Sequence, residues 1–314
     1  ESFYPRIILN QGLEPEHLKG LFLKAYEKIV TTRVNAKRSG DKTLANMLKI
    51  VINGSFGKFG NKYSFIYSPE LLLQVTLSGQ LYLLMLIERC ELAGIEVVSA
   101  NTDGFVSYYN EFQRDEMREI VTQWEKDTQF KTEETLYKSI FIRDVNNYVA
   151  VKFKGKEGDK FLDNRLGCKT KGTYSERGSA LDSVMSKNMK NLVCMDAVLQ
   201  KIVNDVPTEK TIKECKDMLR FCTVANVRGG AKYKGEYLGK VVRFYQGLNS
   251  YHPIEYTKRD AIVSNSTGAI PYMTHSVGII PKDLNYQFYI DEAEKILNEI
   301  AFNKIYKPIN LFNI

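Results

Sequence analysis

No cysteine pair in this chain stands at metal-ligand or redox spacing. The five cysteines, Cys90, Cys168, Cys194, Cys215 and Cys222, are scattered and form no C-x-x-C motif. A zinc site or a disulfide framework is therefore disfavoured, and a reducing compartment is expected. Long apolar runs are also missing. The most apolar stretch, Leu81 to Ile87, is closed by Glu88 and Arg89, whereas a bilayer span takes about 20 apolar residues. No membrane partner is expected. No internal repeat and no low-complexity linker interrupts the chain, which argues against a solenoid or a flexible tether. The opening residues Glu1-Ser2-Phe3-Tyr4-Pro5 carry neither an initiator Met nor a signal-peptide pattern, and read as sequence from within a protein. Acidic residues are scarce in one place: between Arg33 and Lys62 seven basic residues face a single acidic one, Asp41.

What remains is ordinary globular composition. The chain has 314 residues, 44% hydrophobic and 26% charged, enough for two domains or one elaborate one. The formal net charge is +7. Two further basic stretches join the first. Lys152 to Arg177 holds eight basic and four acidic residues, and Arg228 to Tyr245 mixes Arg228, Lys232, Lys234, Lys240 and Arg243 with Tyr233, Tyr237, Phe244 and Tyr245. Any one of them fits a solvated surface; three together, two with interleaved aromatics, fit a nucleic-acid channel better.

Along the chain, residues 3 to 9 read as a strand. Pro15 opens a helix with an apolar stripe at Leu18, Leu21, Phe22, Ala25 and Ile29, ended by Gly40. A second helix starts near Asp41 with Leu44, Met47, Leu48 and Val51 on one face. The short connection makes the two an antiparallel hairpin. Arg33 and Lys37 form an i, i+4 pair on one arm, Lys49 and Asn53 another on the second arm, at similar height. Ser68-Pro69 caps a long helix that stops at Gly94. Ile95 to Ala100 and Phe105 to Tyr109 read as strands joined by Asn101-Thr102-Asp103-Gly104. A helix over Glu111 to Trp124, strands around 139 to 153, a mostly helical segment from 179 to 220, a mixed segment, and a helix near 290 to 300 complete the reading.

The most informative segment is Lys49-Ile50-Val51-Ile52-Asn53-Gly54-Ser55-Phe56-Gly57. Lys and Asn one turn apart reach one anionic ligand together, and the glycines allow another chain to approach the backbone. The segment resembles motif B of the family B DNA polymerases, K-x-x-x-N-S-x-Y-G. Lys49, Asn53 and Gly57 match; Gly54 replaces the Ser and Phe56 the Tyr. Asn101 to Gly104 resembles motif C, D-T-D-S, with Asn101 and Gly104 substituted and Asp103 retained. Ser2-Phe3-Tyr4-Pro5 resembles the end of motif A, D-x-x-S-x-Y-P, whose Asp would lie before Glu1. Asn147-Tyr148 with Lys152 resembles the family's K-x-Y element, with Asn146 where its Lys stands. Lys169-Thr170-Lys171-Gly172 resembles the Lys-Gly element that follows.

The resemblance implies an α+β fold of right-hand architecture. Its parts would be an antiparallel-sheet palm (1–14 and 57–178), helical-hairpin fingers (15–56) and a mixed, mostly helical thumb (179–314). It implies nucleotidyl transfer from dNTP to a primer 3′-hydroxyl by two Mg²⁺ ions, with Mn²⁺ as an alternative, bound by Asp103 and the motif A Asp. Arg33, Lys37, Lys49 and Asn53 would hold the triphosphate, Lys49 acting in catalysis with Asp103. Backbone N–H groups at Ser2 and Phe3 would assist, and Tyr4 would exclude a 2′-hydroxyl. Gly57, Tyr148, Lys152 and Lys171 would contact primer–template DNA. An exonuclease domain and the rest of motif A would lie upstream. The compact fingers look phage- or virus-like, which implies a cytoplasmic setting, the host's if viral. The alternative reading is a polymerase-like module that binds DNA or nucleotide without catalysis; an RNA-templated palm polymerase is a third, disfavoured by the Lys49–Gly57 spacing.

Overall fold

The structure is a computed structural model that describes residues 3–152, 167–175, 190–273, 279–301, 305–306 and 309–313. Helices and antiparallel sheets mix throughout, an α+β fold. The chain divides into two compact units, Glu1–Tyr137 with Lys307–Ile314, and Lys138–Tyr306. These do not share boundaries with the four segments that the resemblance implies.

The first unit opens with a helix, α1 (Phe3–Asn10), where a strand is expected from the sequence. Pro5 sits in its first turn, where a missing N–H costs nothing. Phe3, Ile7 and Ile8 recur at helical spacing and are buried. Helix α2 (Phe22–Ser39) buries Phe22, Tyr26, Val30 and Val34, one residue out of phase with the expected stripe, and leaves Leu21 72% exposed. Gly40, at φ +82°, turns the chain. The Asp41 carboxylate accepts from the Leu44 N–H and starts helix α3 (Lys42–Phe59). The inner face of α3 carries Ile52 and Phe59, not Leu44, Met47 and Val51, which are exposed.

Helix α4 (Pro69–Leu92) follows the Ser68-Pro69 start. Leu71, Val75, Gly79, Leu83, Leu86 and Cys90 are its buried face, packed with α1 and helix α5 (Arg114–Thr128) around Trp124 and Phe130. No charged residue interrupts α4 from Leu71 to Ile87. Its uncharged run is thus longer than the one singled out above, and by length and composition alone α4 passes as a bilayer span. Its buried residues give it a place in the core.

Strands β1 (Glu96–Asn101) and β2 (Gly104–Tyr108) form an antiparallel hairpin, as expected. Strand β3 (Glu133–Asp144) begins in this unit. Strand β11 (Ile309–Asn313) lies between β2 and β3 and pairs with both.

In the second unit, β3 continues and pairs with the short β10 (Ile305–Tyr306). Strands β4 (Asn147–Lys152) and β5 (Cys168–Lys171) are antiparallel. Helices α6 (Leu192–Asn204), α7 (Thr208–Glu214) and α8 (Tyr286–Ala301) pack around Val193, Ala197, Ile212, Phe221 and Tyr289. A four-stranded sheet, in the order β8 (Glu255–Tyr256), β6 (Thr223–Tyr233), β7 (Glu236–Gln246), β9 (Ala269–Pro271), stands beside them. The long β6–β7 hairpin lies in the segment after residue 220 that the sequence reads as mixed. Its turn places Lys234 at φ +52° and Gly235 at φ +87°, the two positive values that a type I′ hairpin turn requires.

Candidate nucleotide and nucleic-acid site

Two sequence-distant residues meet in the first unit, and a third acts on one of them through its charge. The Tyr4 ring, on α1, lies with its centroid 4.9 Å from that of Phe56 on α3. Burial raises the pKa of its hydroxyl, and the Asp103 carboxylate, close enough to act through its charge, raises it further. Tyr4 from the first motif thus packs on Phe56 from the second and feels the charge of Asp103 from the third. Phe3 packs edge-on against Phe130 at 5.0 Å and is buried. Its N–H lies in the first turn of α1, where helix N–H groups have no intrahelical acceptor. Ser2 lies outside the described residues.

Asp103 is exposed at the tip of the β1–β2 hairpin. Thr102 beside it has φ +52°, a left-handed conformation that a β-branched residue rarely adopts. The Asp103 N–H donates to the Asn101 carbonyl at 2.6 Å, and the Thr102 hydroxyl to the Asn101 side-chain oxygen at 2.8 Å. The carboxylate is thus carried on a tight, hydrogen-bonded two-residue loop. Such local strain is a pointer to function.

Helical geometry links Phe56 to the polar residues before it. Lys49, Asn53 and Phe56 follow at i, i+4 and i+7, so they line one face over about 10 Å of axis. Lys49 and Asn53 are exposed. Gly54 and Gly57 are exposed too, and a Cβ added to either meets nothing within 4 Å. Among the described residues nothing requires glycine there.

Lys37 leads to the same sheet from α2. Its ammonium is 4.0 Å from Glu133, both side chains well exposed, so the pair adds little stability. Its value is positional. Glu133 pairs with Asn313, and Asn313 with Gly104. Lys37 therefore stands over the sheet row that ends at the Asp103 loop, two strand spacings or about 10 Å across. Arg33, one turn earlier, is half-buried on α2. Glu133 and Phe56 had no expected role; Glu133 lies ahead of the strands read around 139 to 153, and no sequence signal marks it.

In the second unit, two weakly matched segments join. Tyr148 stands directly opposite Lys171 on β4 and β5. The Asn147 side-chain oxygen accepts from the Thr173 N–H and hydroxyl, each at 2.8 Å, while its amide nitrogen donates to Asp144. Gly172, at φ +66°, leaves no room for a side chain: a Cβ would be 2.2 Å from the Asn146 carbonyl. Lys152, expected to contact DNA, is the buried member of this set. It is 7% exposed, with its N–H bonded to the Gly167 carbonyl, so this structure does not offer it to a DNA phosphate. Arg243 is likewise withdrawn from the basic surface: its guanidinium donates to the Tyr272 carbonyl at 3.0 Å and lies over the Tyr272 ring.

Among the described residues no group of three or more His, Cys, Asp or Glu converges on a point. Asp103 contributes one carboxylate.

No protein-family model matches the chain. Among curated proteins, DNA polymerase II of Escherichia coli (strain K12) is 30% identical over 127 residues, which cover 33% of this chain and 16% of that protein. Among solved structures, the family B DNA polymerase of the hyperthermophilic archaeon Pyrobaculum calidifontis superposes with a TM-score of 0.53 at 14% identity. That match covers 96% of this chain and 44% of the archaeal one. The chain thus spans less than half the length of either. The chain is thus similar over a third of its length to one DNA polymerase and shares its fold with a family B DNA polymerase.

Proposed function

We propose that this chain serves template-directed DNA synthesis, transferring a nucleotide from a dNTP to a primer 3′-hydroxyl with loss of pyrophosphate. The observation that carries the reading is the packing of Tyr4 on Phe56, with the Asp103 carboxylate acting on Tyr4 through its charge. In this reading the sheet and α2–α3 hairpin of the first unit act as palm and fingers, and the helices and four-stranded sheet of the second as thumb. The sugar lies against the Tyr4 ring, which leaves no space for a 2′-hydroxyl. Lys49 and Asn53, on the row that starts at Phe56, take the triphosphate, with Lys37 and Arg33 from the facing helix. Their positive charge counters the negative charge that builds on the transferring phosphate. Tyr148 and Lys171 touch the primer–template, and the bare face at Gly54 and Gly57 admits it. Mg²⁺, or Mn²⁺, is the ion that the resemblance asks for. Asp103 supplies a single ligand to it, too little charge to hold two ions. The proposed setting is the cytoplasm, that of a host if the protein is viral.

A second reading, a polymerase-like module that binds without catalysis, draws on Asn101 and on the absence of a clustered metal site among the described residues. Primer extension by the full-length protein separates the two. Lys49→Ala should raise KM for dNTP about tenfold or more and leave primer–template affinity within about twofold; tenfold corresponds to about 1.4 kcal/mol. Asp103→Ala should abolish extension, and Asn101→Asp should be tolerated. Near-normal extension by Asp103→Ala would remove the catalytic reading, and no extension by the unaltered protein would favour the binding module.

A further inference from the structure

We propose that Gly79 is a positioning residue for the Tyr4 ring: the bare backbone of α4 at this point sets how far the ring stands toward a bound nucleotide's sugar. The proposal rests on the reading of Tyr4 given above. Glycine in mid-helix is destabilising relative to alanine, and Gly79 does not have the positive φ that would demand it. Its reason is spatial. A Cβ at Gly79 would stand 2.8 Å from Tyr4 Cε1, and 3.4 Å from Phe3 Cε1 and Ile7 Cδ1. Gly54 and Gly57, which also lie within an α-helix, meet nothing within 4 Å, so a close fit is not common to the helical glycines.

Of the three side chains Gly79 meets, Tyr4 is the one able to yield. Phe3 and Ile7 are buried, at 3% and 0% exposure, in the packed core of α1, α4 and α5. Tyr4 is half-buried and has Phe56 on another side. A methyl at position 79 therefore moves the ring away from α4. The inference follows that such a shift carries the ring edge into the sugar's space, where a 2′-hydroxyl meets it before a 2′-hydrogen does. Displacements of about 1 Å in a positioned group can change rates by up to about a hundredfold.

The test is single-nucleotide insertion of dNTP and rNTP by the full-length protein, comparing the unaltered chain, Gly79→Ala, Tyr4→Val and the double variant. Gly79→Ala should raise KM for dNTP severalfold and the dNTP-over-rNTP selectivity about tenfold, with kcat for dNTP little changed. In the Tyr4→Val background the same change should move selectivity less than twofold, since no ring remains to be pushed. A general packing defect would lower both insertions together and leave the ratio alone. An unchanged ratio in folded Gly79→Ala, with Tyr4→Val relaxing selectivity, overturns the positioning role and leaves the gate standing. If Tyr4→Val itself leaves sugar selectivity unaltered, the gate reading falls and this proposal with it. Should Gly79→Ala not fold, Phe56→Leu loosens the ring from its other side. Lowered selectivity there at unchanged DNA affinity supports control of the ring by its packing, and an unaltered ratio overturns it.

Discussion

Thr102 pays for its place at the hairpin tip. A side chain with a branched Cβ in the left-handed region costs roughly 1–2 kcal/mol, and Asn tolerates that region far better. The Thr102 hydroxyl recovers part of this through its 2.8 Å bond to Asn101, but the residue is exposed and water competes for that bond. Thr102→Asn should therefore stabilise the protein by up to about 1 kcal/mol in urea denaturation. Destabilisation instead would show that the Thr102–Asn101 bond outweighs the strain. At this scale the sequence was informative about identities and not about distances. Lys49 and Asn53 stood out by their helical spacing, and Asp103 and Tyr4 only through the resemblance. That Phe56 would touch Tyr4, or that Gly79 would lie against it, was not legible, because both contacts join residues of different helices. The burial of Lys152 was illegible for a related reason: a lysine on a strand reads as polar, and only its neighbours in space decide whether it reaches water.

Helix α3 shows how an element serves two ends. Its inner face, Ile52 and Phe59, attaches it to the core, while its outer face is bare at Gly54 and Gly57. Alanine at Gly57 would fit without contact and should stabilise the helix by about 0.5–1 kcal/mol. If the bare face admits DNA, the same Gly57→Ala should weaken primer–template binding severalfold. A rise in thermal stability together with unchanged DNA affinity would show that the face admits nothing. Elements whose ends carry strong signals were placed well: α4 begins at Ser68-Pro69 and the β1–β2 hairpin turns at Asn101 to Gly104. Helix α1 was misread because Pro5 and the branched Ile7 and Ile8 weigh toward extended backbone, whereas burial of Phe3, Ile7 and Ile8 on one face favours the helix. The β6–β7 hairpin had a readable Lys234-Gly235 turn, obscured by the basic and aromatic residues around it.

Over the whole molecule, 44 basic residues stand against 37 acidic ones. That excess confers attraction for a polyanion but no sequence preference. Binding of duplex DNA by the full-length protein should weaken by about a thousandfold between 50 and 200 mM salt if roughly six phosphates are neutralised. Salt-independent binding would mean that the basic stretches do not face the DNA. Arg243 and Lys152 are buried, so the slope should be shallower than a count of basic residues suggests. The mixed fold class was legible in the whole sequence, but the placing of residues 309–313 was not, because a five-residue strand carries no mark of its distant partners. That strand has a consequence in time. Strand β11 fills the place between β2 and β3, roughly two hundred residues after the hairpin it completes. On a ribosome adding about 5–20 residues per second, β2 emerges some 10–40 s before its neighbour exists. During that interval its edge is open, and the Asp103 loop belongs to a sheet still lacking a strand. The sheet that carries the site is therefore among the later parts of this unit to close.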